Sequence, residues 1–269
     1  MDILGVRVDE VDGTRALEKV ASFLDSQKQN KIFTPNPEML VDARNDEYFR
    51  EVLNSGDLNI CDGFGLWLAA KLSLRGSRDP SPPLGTGSAI QSPAVRISGV
   101  DFMLDICGLA KEKDKGVSLL GSGDESVIKN AAEALKRKFS GLKICGFNNG
   151  IKIEKLVNHK IEYDKTGNED LLYDIIMQAP DILFVGFGHG KQEKWIYENL
   201  AQLPSVKVAI GVGGAFDFLA GKSKRAPKFM RWLGLEWLWR LSLEPWRIKR
   251  IFKATIVFLF YFLWQPTAR

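Results

Sequence analysis

Polar residues follow several short apolar runs of this chain, and their types could carry acid–base and hydrogen-bonding chemistry. Asp62 follows the run that ends at Cys61, so its carboxylate is a candidate general base or ribose ligand. Thr34 and Asn36, each followed by a proline, present a neutral hydroxyl and a neutral amide. Both Asn36 and Asp62 have a structural alternative, because Asn and Asp are also favoured N-cap residues of helices.

Glycine-rich turns follow three further apolar runs. The turn at Gly121 could present backbone N–H groups to a diphosphate, although its spacing is neither GxGxxG nor a P-loop and a plain tight turn is the alternative. Gln192 and Glu193 begin a predicted helix, where their side chains could reach a sugar or nucleotide hydroxyl. Gly213 suits the close approach of a ligand. His189 is a candidate base, although a single loop histidine is more often structural. Such repeated turns favour a nucleotide site.

The elements that must position these residues alternate between short apolar runs and helical patterns. Predicted strands cover residues 31–34, 57–61, 116–120, 143–146, 182–186 and 206–211. Predicted helices cover residues 14–26, 37–55, 66–74, 100–112, 126–138, 169–178 and 191–200. This alternation predicts an α/β fold with a Rossmann-like, mainly parallel sheet and helices on both faces. Ligands of such sheets bind beyond the carboxyl ends of the strands, where the polar residues lie.

The charge distribution divides the chain at residue 221. Residues 222–269 carry a net charge of +9 and five of the seven tryptophans, whereas residues 1–221 carry −5. The apolar run Ala254–Trp264 is shorter than the roughly 20 residues that span a bilayer. We therefore predict a catalytic α/β domain over 1–221, with a flexible loop over 76–93, and a helical, membrane-associating appendage over 222–269. The alternatives are a basic helix packed on its own domain and a nucleic-acid binder, which no recognition motif supports.

The composition argues against several other classes of protein. The three cysteines form no CxxC pair, which weighs against a disulfide framework and a structural zinc site, and the two histidines weigh against a multi-histidine metal centre. The first ten residues lack the charged-then-apolar pattern of a signal peptide. We therefore expect an intracellular protein without a metal or other cofactor.

Six blocks of sequence, in order along nearly the whole chain, resemble the WecG/TagA/CpsF family of bacterial glycosyltransferases. The blocks read TPNPE, DGFG, RISGVDF, GFGHGKQEKW, GVGGAFDFLAGKSKRAP and GLEWLWRLSLEPWRIKR. The resemblance implies transfer of N-acetylmannosamine or a related sugar from a UDP-sugar to undecaprenyl-diphosphate-linked N-acetylglucosamine. The wall teichoic acid branch is the most similar in appearance. The implied partners are the donor, the lipid acceptor and the inner face of the cell membrane, with a homo-oligomer as one option and no nucleic acid.

The resemblance also implies roles for individual residues. Asp62 matches the general base, Arg96 matches a pocket arginine, and three arginines of the appendage match residues that fold over the active site. Together the residues that match the family's site are Thr34, Asn36, Asp62, Arg96, Gln192, Glu193, Arg240, Arg247 and Arg250. We expect the reaction to invert the configuration at the anomeric carbon. Since no DxD-like pair follows a predicted strand, we expect arginines rather than a metal to stabilise the departing diphosphate.

Two other classes of function remain open from the sequence. One is another nucleotide-dependent enzyme, such as an oxidoreductase or methyltransferase, although a GxGxxG motif with its downstream acid is missing. The other is a non-enzymatic protein, either a membrane-surface nucleotide-binding protein or a module that binds a lipid surface or nucleic acid through its basic appendage alone. Stabilisation by UDP would separate these classes, because a ligand that binds only the folded state raises its stability.

Overall fold

The computed structural model describes residues 1–61, 97–121, 123–155, 160–227, 229–230 and 235–264. The strands, in chain order, are β1 (Asp2–Ile3), β2 (Val6–Arg7), β3 (Asn30–Phe33), β4 (Leu58–Asn59), β5 (Gly116–Gly121), β6 (Lys143–Asn148), β7 (Ile153–Lys155), β8 (Ile161–Tyr163), β9 (Ile182–Gly186) and β10 (Val208–Gly211). A parallel sheet of six strands has the order β4-β3-β10-β9-β5-β6. The remaining strands form two short antiparallel pairs, β1 with β2 and β7 with β8.

Helices connect the strands and continue into the C-terminal segment. Those of the sheet region are α1 (Gly13–Asp25), α2 (Pro37–Asn45), α3 (Glu47–Asn54), α4 (Gly99–Glu112), α5 (Glu125–Lys138), α6 (Lys165–Gln178), α7 (Lys191–Asn199) and α8 (Ala215–Leu219). Those that follow are α9 (Glu236–Leu243), α10 (Ile248–Phe252) and α11 (Phe258–Leu263), with a π-helical turn at Lys253–Val257 between the last two. We call residues 236–264 the tail.

Alternate residues of each central strand enter two separate cores. In β9, Ile182 and Phe184 belong to one buried cluster, whereas Leu183 and Val185 belong to the other. This period of two is the consequence of side chains alternating across a strand. Helices α1, α4 and α5 cover the first face, and α2, α3 and α7 cover the second. The predicted α/β sheet with helices on both faces is confirmed.

The predicted helix over 37–55 is two helices in the structure. Asp46 adopts an extended backbone between α2 and α3, and its side chain accepts a hydrogen bond from the backbone N–H of Phe49 at 2.8 Å. An aspartate that caps a new helix in this way ends the preceding one. The predicted helix over 66–74 and the predicted loop over 76–93 lie outside the described residues.

The tail packs against α2 with one face only. Phe258 is fully buried within the core on the α2 side, and Val257, Tyr261 and Phe262 pack against the same cluster. Leu263 and Trp264 are about three-quarters exposed. Within the described ranges, no helix combines the length and the apolar character that crossing a bilayer requires. The boundary between domains at residues 221 and 222 stays a prediction.

Candidate active site

A cavity lies beyond the carboxyl ends of the three central strands, β3, β10 and β9. The turns after these strands and the arginines of the tail supply most of its wall. The lining residues include Thr34, Asn36, His189, Gln192, Glu193, Gly213, Arg240, Arg247 and Arg250. The cavity therefore occupies the position at which open α/β sheets bind their ligands.

The turn after β3 presents Thr34 and Asn36 to the cavity. The Oδ1 atom of Asn36 accepts a hydrogen bond from the backbone N–H of Met39 at 3.0 Å, and Pro37 occupies the first position of α2. The helix-cap alternative for Asn36 is therefore confirmed. The cap fixes the side chain at the cavity wall, so the structural role and a role in binding do not exclude one another.

Gln192 and Glu193 fasten two glycine-rich turns to each other. The Oε2 atom of Glu193 accepts a hydrogen bond from the backbone N–H of Gly190 at 2.9 Å, and its Oε1 accepts one from Gln192 Nε2 at 2.8 Å. Gln192 Oε1 in turn accepts a hydrogen bond from the backbone N–H of Gly213 at 3.0 Å. Burial raises the pKa of Glu193, although these hydrogen bonds oppose the rise. The pair thus fixes the shape of the cavity wall.

Glycine is required at the end of β10 and in the turn after it, for two different reasons. Gly213 has a φ of +53°, in the left-handed region that side chains rarely adopt. A Cβ atom on Gly211 would collide with the side chain of Gln192. The close packing of these glycines against Gln192 brings the backbone of this turn to the cavity.

The tail closes one side of the cavity with three guanidinium groups. Arg240 lies over the ring of Phe218, 4.7 Å from its centroid. Arg247 pairs with Glu244 of the tail itself. Arg250 pairs with Glu38 of α2 through its Nε and Nη2 atoms, at 3.0 and 2.9 Å. The tail therefore brings three positive charges to a wall that also contains neutral polar groups, glycines, apolar side chains, a histidine and a few acidic side chains.

A charged cluster lies beside the cavity, between α2, the loop before α7 and the tail. His189 Nε2 is 2.7 Å from Asp42 Oδ2, and His189 Nδ1 is 3.8 Å from Glu38 Oε2. Lys253 pairs with the other oxygen of Asp42. Burial alone would raise the pKa of Asp42, but hydrogen bonds from His189 and Lys253 outweigh it and lower the pKa to about 2.

The same cluster has the donor atoms of a metal site. The ligand atoms of Glu38, Asp42 and His189 lie within 4.8 Å of one another. One imidazole and two carboxylates suit a divalent transition metal. A metal there would compete with Arg250 and Lys253, which already contact the two carboxylates. The expectation of a metal-free reaction stays a prediction.

Among the predicted site residues that the structure describes, Gly121 does not line this cavity. Asp62 and Arg96 lie outside the described residues. Gly121, at the end of β5, has a φ of +106° and packs against the backbone of Gly186, so a Cβ atom there would lie 2.8 Å from the carbonyl carbon of Gly186. Gly121 is absent from the described lining of the cavity, whereas Gly186 is part of it.

Sequence reasoning missed the carboxylates that contact the tail. Glu38 was part of the TPNPE block, but neither it nor Asp42 was a candidate site residue. Their spacing of four residues on a predicted helix was the available signal, because residues i and i+4 share one face. Asp217 and Glu236, which line the cavity, were also missed.

A parallel α/β sheet with a polar cavity beyond its strand ends defines the class of open α/β proteins, which bind their ligands at that edge. Within that class, this chain belongs to the glycosyl transferase WecG/TagA/CpsF family, whose model matches residues 1–269. The family resemblance drawn from the six sequence blocks is confirmed.

Two relatives of this chain carry the same enzyme name. An N-acetylglucosaminyldiphosphoundecaprenol N-acetyl-β-D-mannosaminyltransferase of Bacillus subtilis strain 168 is 32% identical over 229 residues, 85% of this chain and 77% of the relative. A protein of the same name from Staphylococcus aureus strain NCTC 8325 is 29% identical over 262 residues, 97% of this chain and 91% of the relative.

Proposed function

We propose that this protein transfers N-acetylmannosamine from UDP to undecaprenyl-diphosphate-linked N-acetylglucosamine. The family membership and the names of both relatives support this reaction. The structural observation that carries the proposal is the cavity at the strand ends, which combines neutral hydrogen-bonding groups with three arginines of the tail. The product is the disaccharide with which wall teichoic acid or a related surface polysaccharide is linked to its lipid carrier.

The reaction we propose is a single displacement that inverts the configuration at the anomeric carbon. A hydroxyl oxygen of the acceptor attacks this carbon, the bond from the carbon to the β-phosphate oxygen breaks, and UDP leaves with the bonding electrons. Asp62 takes the hydroxyl proton as general base. Thr34 and Asn36 bind hydroxyl or acetamido groups of the substrates, and the backbone turn at Gly213 lies against the donor.

Arg240, Arg247 and Arg250 stabilise the charge that develops on the departing diphosphate. A guanidinium group stays protonated and binds phosphate oxygens through two parallel hydrogen bonds, so it can replace a metal in this role. Arg96 is proposed as a further pocket arginine on the strength of the family resemblance. Arg250 contributes after its contact with Glu38 has been exchanged for one with the diphosphate.

The tail also binds the inner face of the cell membrane, where the lipid acceptor is located. Its exposed apolar side chains support this proposal, since Trp246, Leu263 and Trp264 are each at least 73% exposed. Lys249 adds positive charge that anionic lipids attract. The same apolar surface would suit a second copy of this chain, which sedimentation with and without detergent would detect.

The decisive experiment is an assay of purified protein with UDP-N-acetylmannosamine and a soluble analogue of the lipid acceptor. We expect a disaccharide product and release of UDP. Asp62→Asn should abolish turnover while UDP still stabilises the protein against heat. Failure of UDP to bind the wild-type protein would overturn the proposal, and near-normal turnover of Asp62→Asn would remove Asp62 from the mechanism.

A further inference from the structure

Helix α2 contacts both the cavity and the tail. Its N-cap residue, Asn36, lines the cavity, whereas Glu38 and Asp42 lie one helical turn apart on the flank that meets the tail. Arg250 and Lys253, three residues apart, pair with these carboxylates in order. Two ion pairs in matching order therefore fix the position of the tail along α2.

Asp42 uses its two oxygens for partners on different parts of the molecule. One oxygen accepts a hydrogen bond from Lys253 of the tail, and the other is 2.7 Å from Nε2 of His189. His189 belongs to the loop before α7 and lines the cavity. Since the Asp42 side chain is only 27% exposed, both contacts are shielded from solvent and worth more than those of a surface pair.

Apolar and cation–π contacts continue the interface beyond these ion pairs. Phe258 is fully buried in the core cluster that includes Met39 and Leu40 of α2, and Arg44 of α2 lies 4.3 Å from the centroid of the Tyr261 ring. The ion pairs are at the end of the interface nearest the cavity, and the apolar contacts are farther along the tail. Release of the ion pairs would consequently free the segment that carries Arg250 before it freed the buried end.

We propose that Asp42 is a positioning residue that, by binding Lys253 and His189 together, holds the tail against the cavity loop and keeps Arg250 at the cavity. Asp42 acts through these partners and touches no substrate. This inference rests on the proposed function, because it assumes that the docked tail helps to bind a sugar nucleotide.

The proposal has a kinetic consequence that a purely structural role lacks. If the donor binds only when the tail is docked, weaker docking raises the KM for the donor in inverse proportion to the docked fraction that remains. A saturating donor restores docking, so kcat is retained. A folding defect would do the reverse, because it lowers the concentration of active enzyme and leaves KM unchanged.

The variants Asp42→Asn and Lys253→Met test this consequence in the soluble-acceptor assay. We expect the KM for the UDP-sugar to rise about tenfold in each, as for loss of a charge-assisted hydrogen bond, with kcat within about twofold of wild type. The exchanged pair Asp42→Lys with Lys253→Asp restores the contact with the tail but not the one with His189, so it should recover only part of the loss. Asp25→Asn, which removes a carboxylate from an exposed pair with Lys113, is the matched control and should change neither constant.

A measurement without substrate separates this inference from the proposed function. Chymotrypsin should cleave the tail of Asp42→Asn several times faster than that of wild type. Its sites in the tail include Trp246 and Phe252, whose side chains are exposed. The helical backbone at these sites becomes accessible to the protease only when the tail undocks and opens locally. The exchanged pair should reduce this rate again. Equal cleavage rates, or a fall in kcat at unchanged KM, would overturn the role of Asp42. If wild type failed to bind UDP, the proposed function would fail while the cleavage rates still tested the docking.

Discussion

The side-chain oxygen of Gln192 accepts a hydrogen bond from the backbone N–H of Gly213 at 3.0 Å, which joins the turns after β9 and β10. Gln192 is 5% exposed, so this bond and its partner to Glu193 are formed away from water. Buried hydrogen bonds of this kind are costly to break because the remaining groups lose their partners. Both the shape of the cavity and the stability of the fold therefore depend on Gln192.

Gln192→Ala should lower the affinity for UDP and destabilise the protein by about 1–3 kcal/mol, since Gly213 N–H would lose its acceptor. Gln178→Ala is the matched control, because Gln178 accepts a hydrogen bond from Ser118 at 3.0 Å on the neighbouring strand. Both variants should unfold at lower urea concentration, but only Gln192→Ala should lose UDP affinity in calorimetry. Equal UDP affinities of the two variants would contradict a role of Gln192 in shaping the cavity.

Asp42 should give the protein a specific response to acid. Its pKa in the folded protein is about 2, below the ordinary value of 3.8, so its stabilising contribution is complete above pH 3.8 and is lost as pH falls through 2. The free energy of unfolding of wild type should therefore exceed that of Asp42→Asn at pH 5, and the difference should shrink towards pH 2. Urea titrations of both proteins at intervals of pH would test this, and a difference independent of pH would argue against it.

The strands and the family were predictable because their signals are local. Each strand of the six-stranded sheet was placed within two residues of its observed ends, since a continuous apolar run bounded by turns marks a buried parallel strand. The strands β1, β2, β7 and β8 were missed. Each has only two or three residues and contains a charged side chain, so neither length nor periodicity distinguishes it from a loop.

The contacts of the site were less predictable because they join distant parts of the chain. Lys253 and Asp42 are 211 residues apart, and no local pattern connects them. Gln192 and Glu193 were correctly placed in the first turn of a helix, but only the position of Gly213 decides that their side chains bond to the two turns. Sequence therefore indicated which residues border the cavity better than what those residues contact.

The exposed apolar face of the tail should bind membranes. Replacing Leu263 and Trp264 by serine should reduce binding to vesicles that contain anionic phospholipid by about tenfold or more, because large apolar side chains contribute roughly 1.5–3 kcal/mol each when buried. Tyr173 and Met177 of α6 are 63% and 67% exposed, and their replacement by serine is the control. Co-sedimentation with vesicles measures both variants. Similar losses in both would indicate general apolar adhesion and argue against a dedicated surface.

The tail should also contribute to the stability of the fold, through Phe258. This side chain is fully buried, whereas Phe260, two residues further on, is 54% exposed. Phe258→Ala should cost about 3–5 kcal/mol because it leaves a cavity in the core, and Phe260→Ala should cost no more than about 0.5 kcal/mol. Urea unfolding of the two variants measures both costs. Similar small costs would mean that the tail docks independently of the core, and the buried position of Phe258 would then be unrelated to stability. A large cost for Phe258 alone would mean that the segment bearing the cavity arginines is anchored by the core of the catalytic sheet.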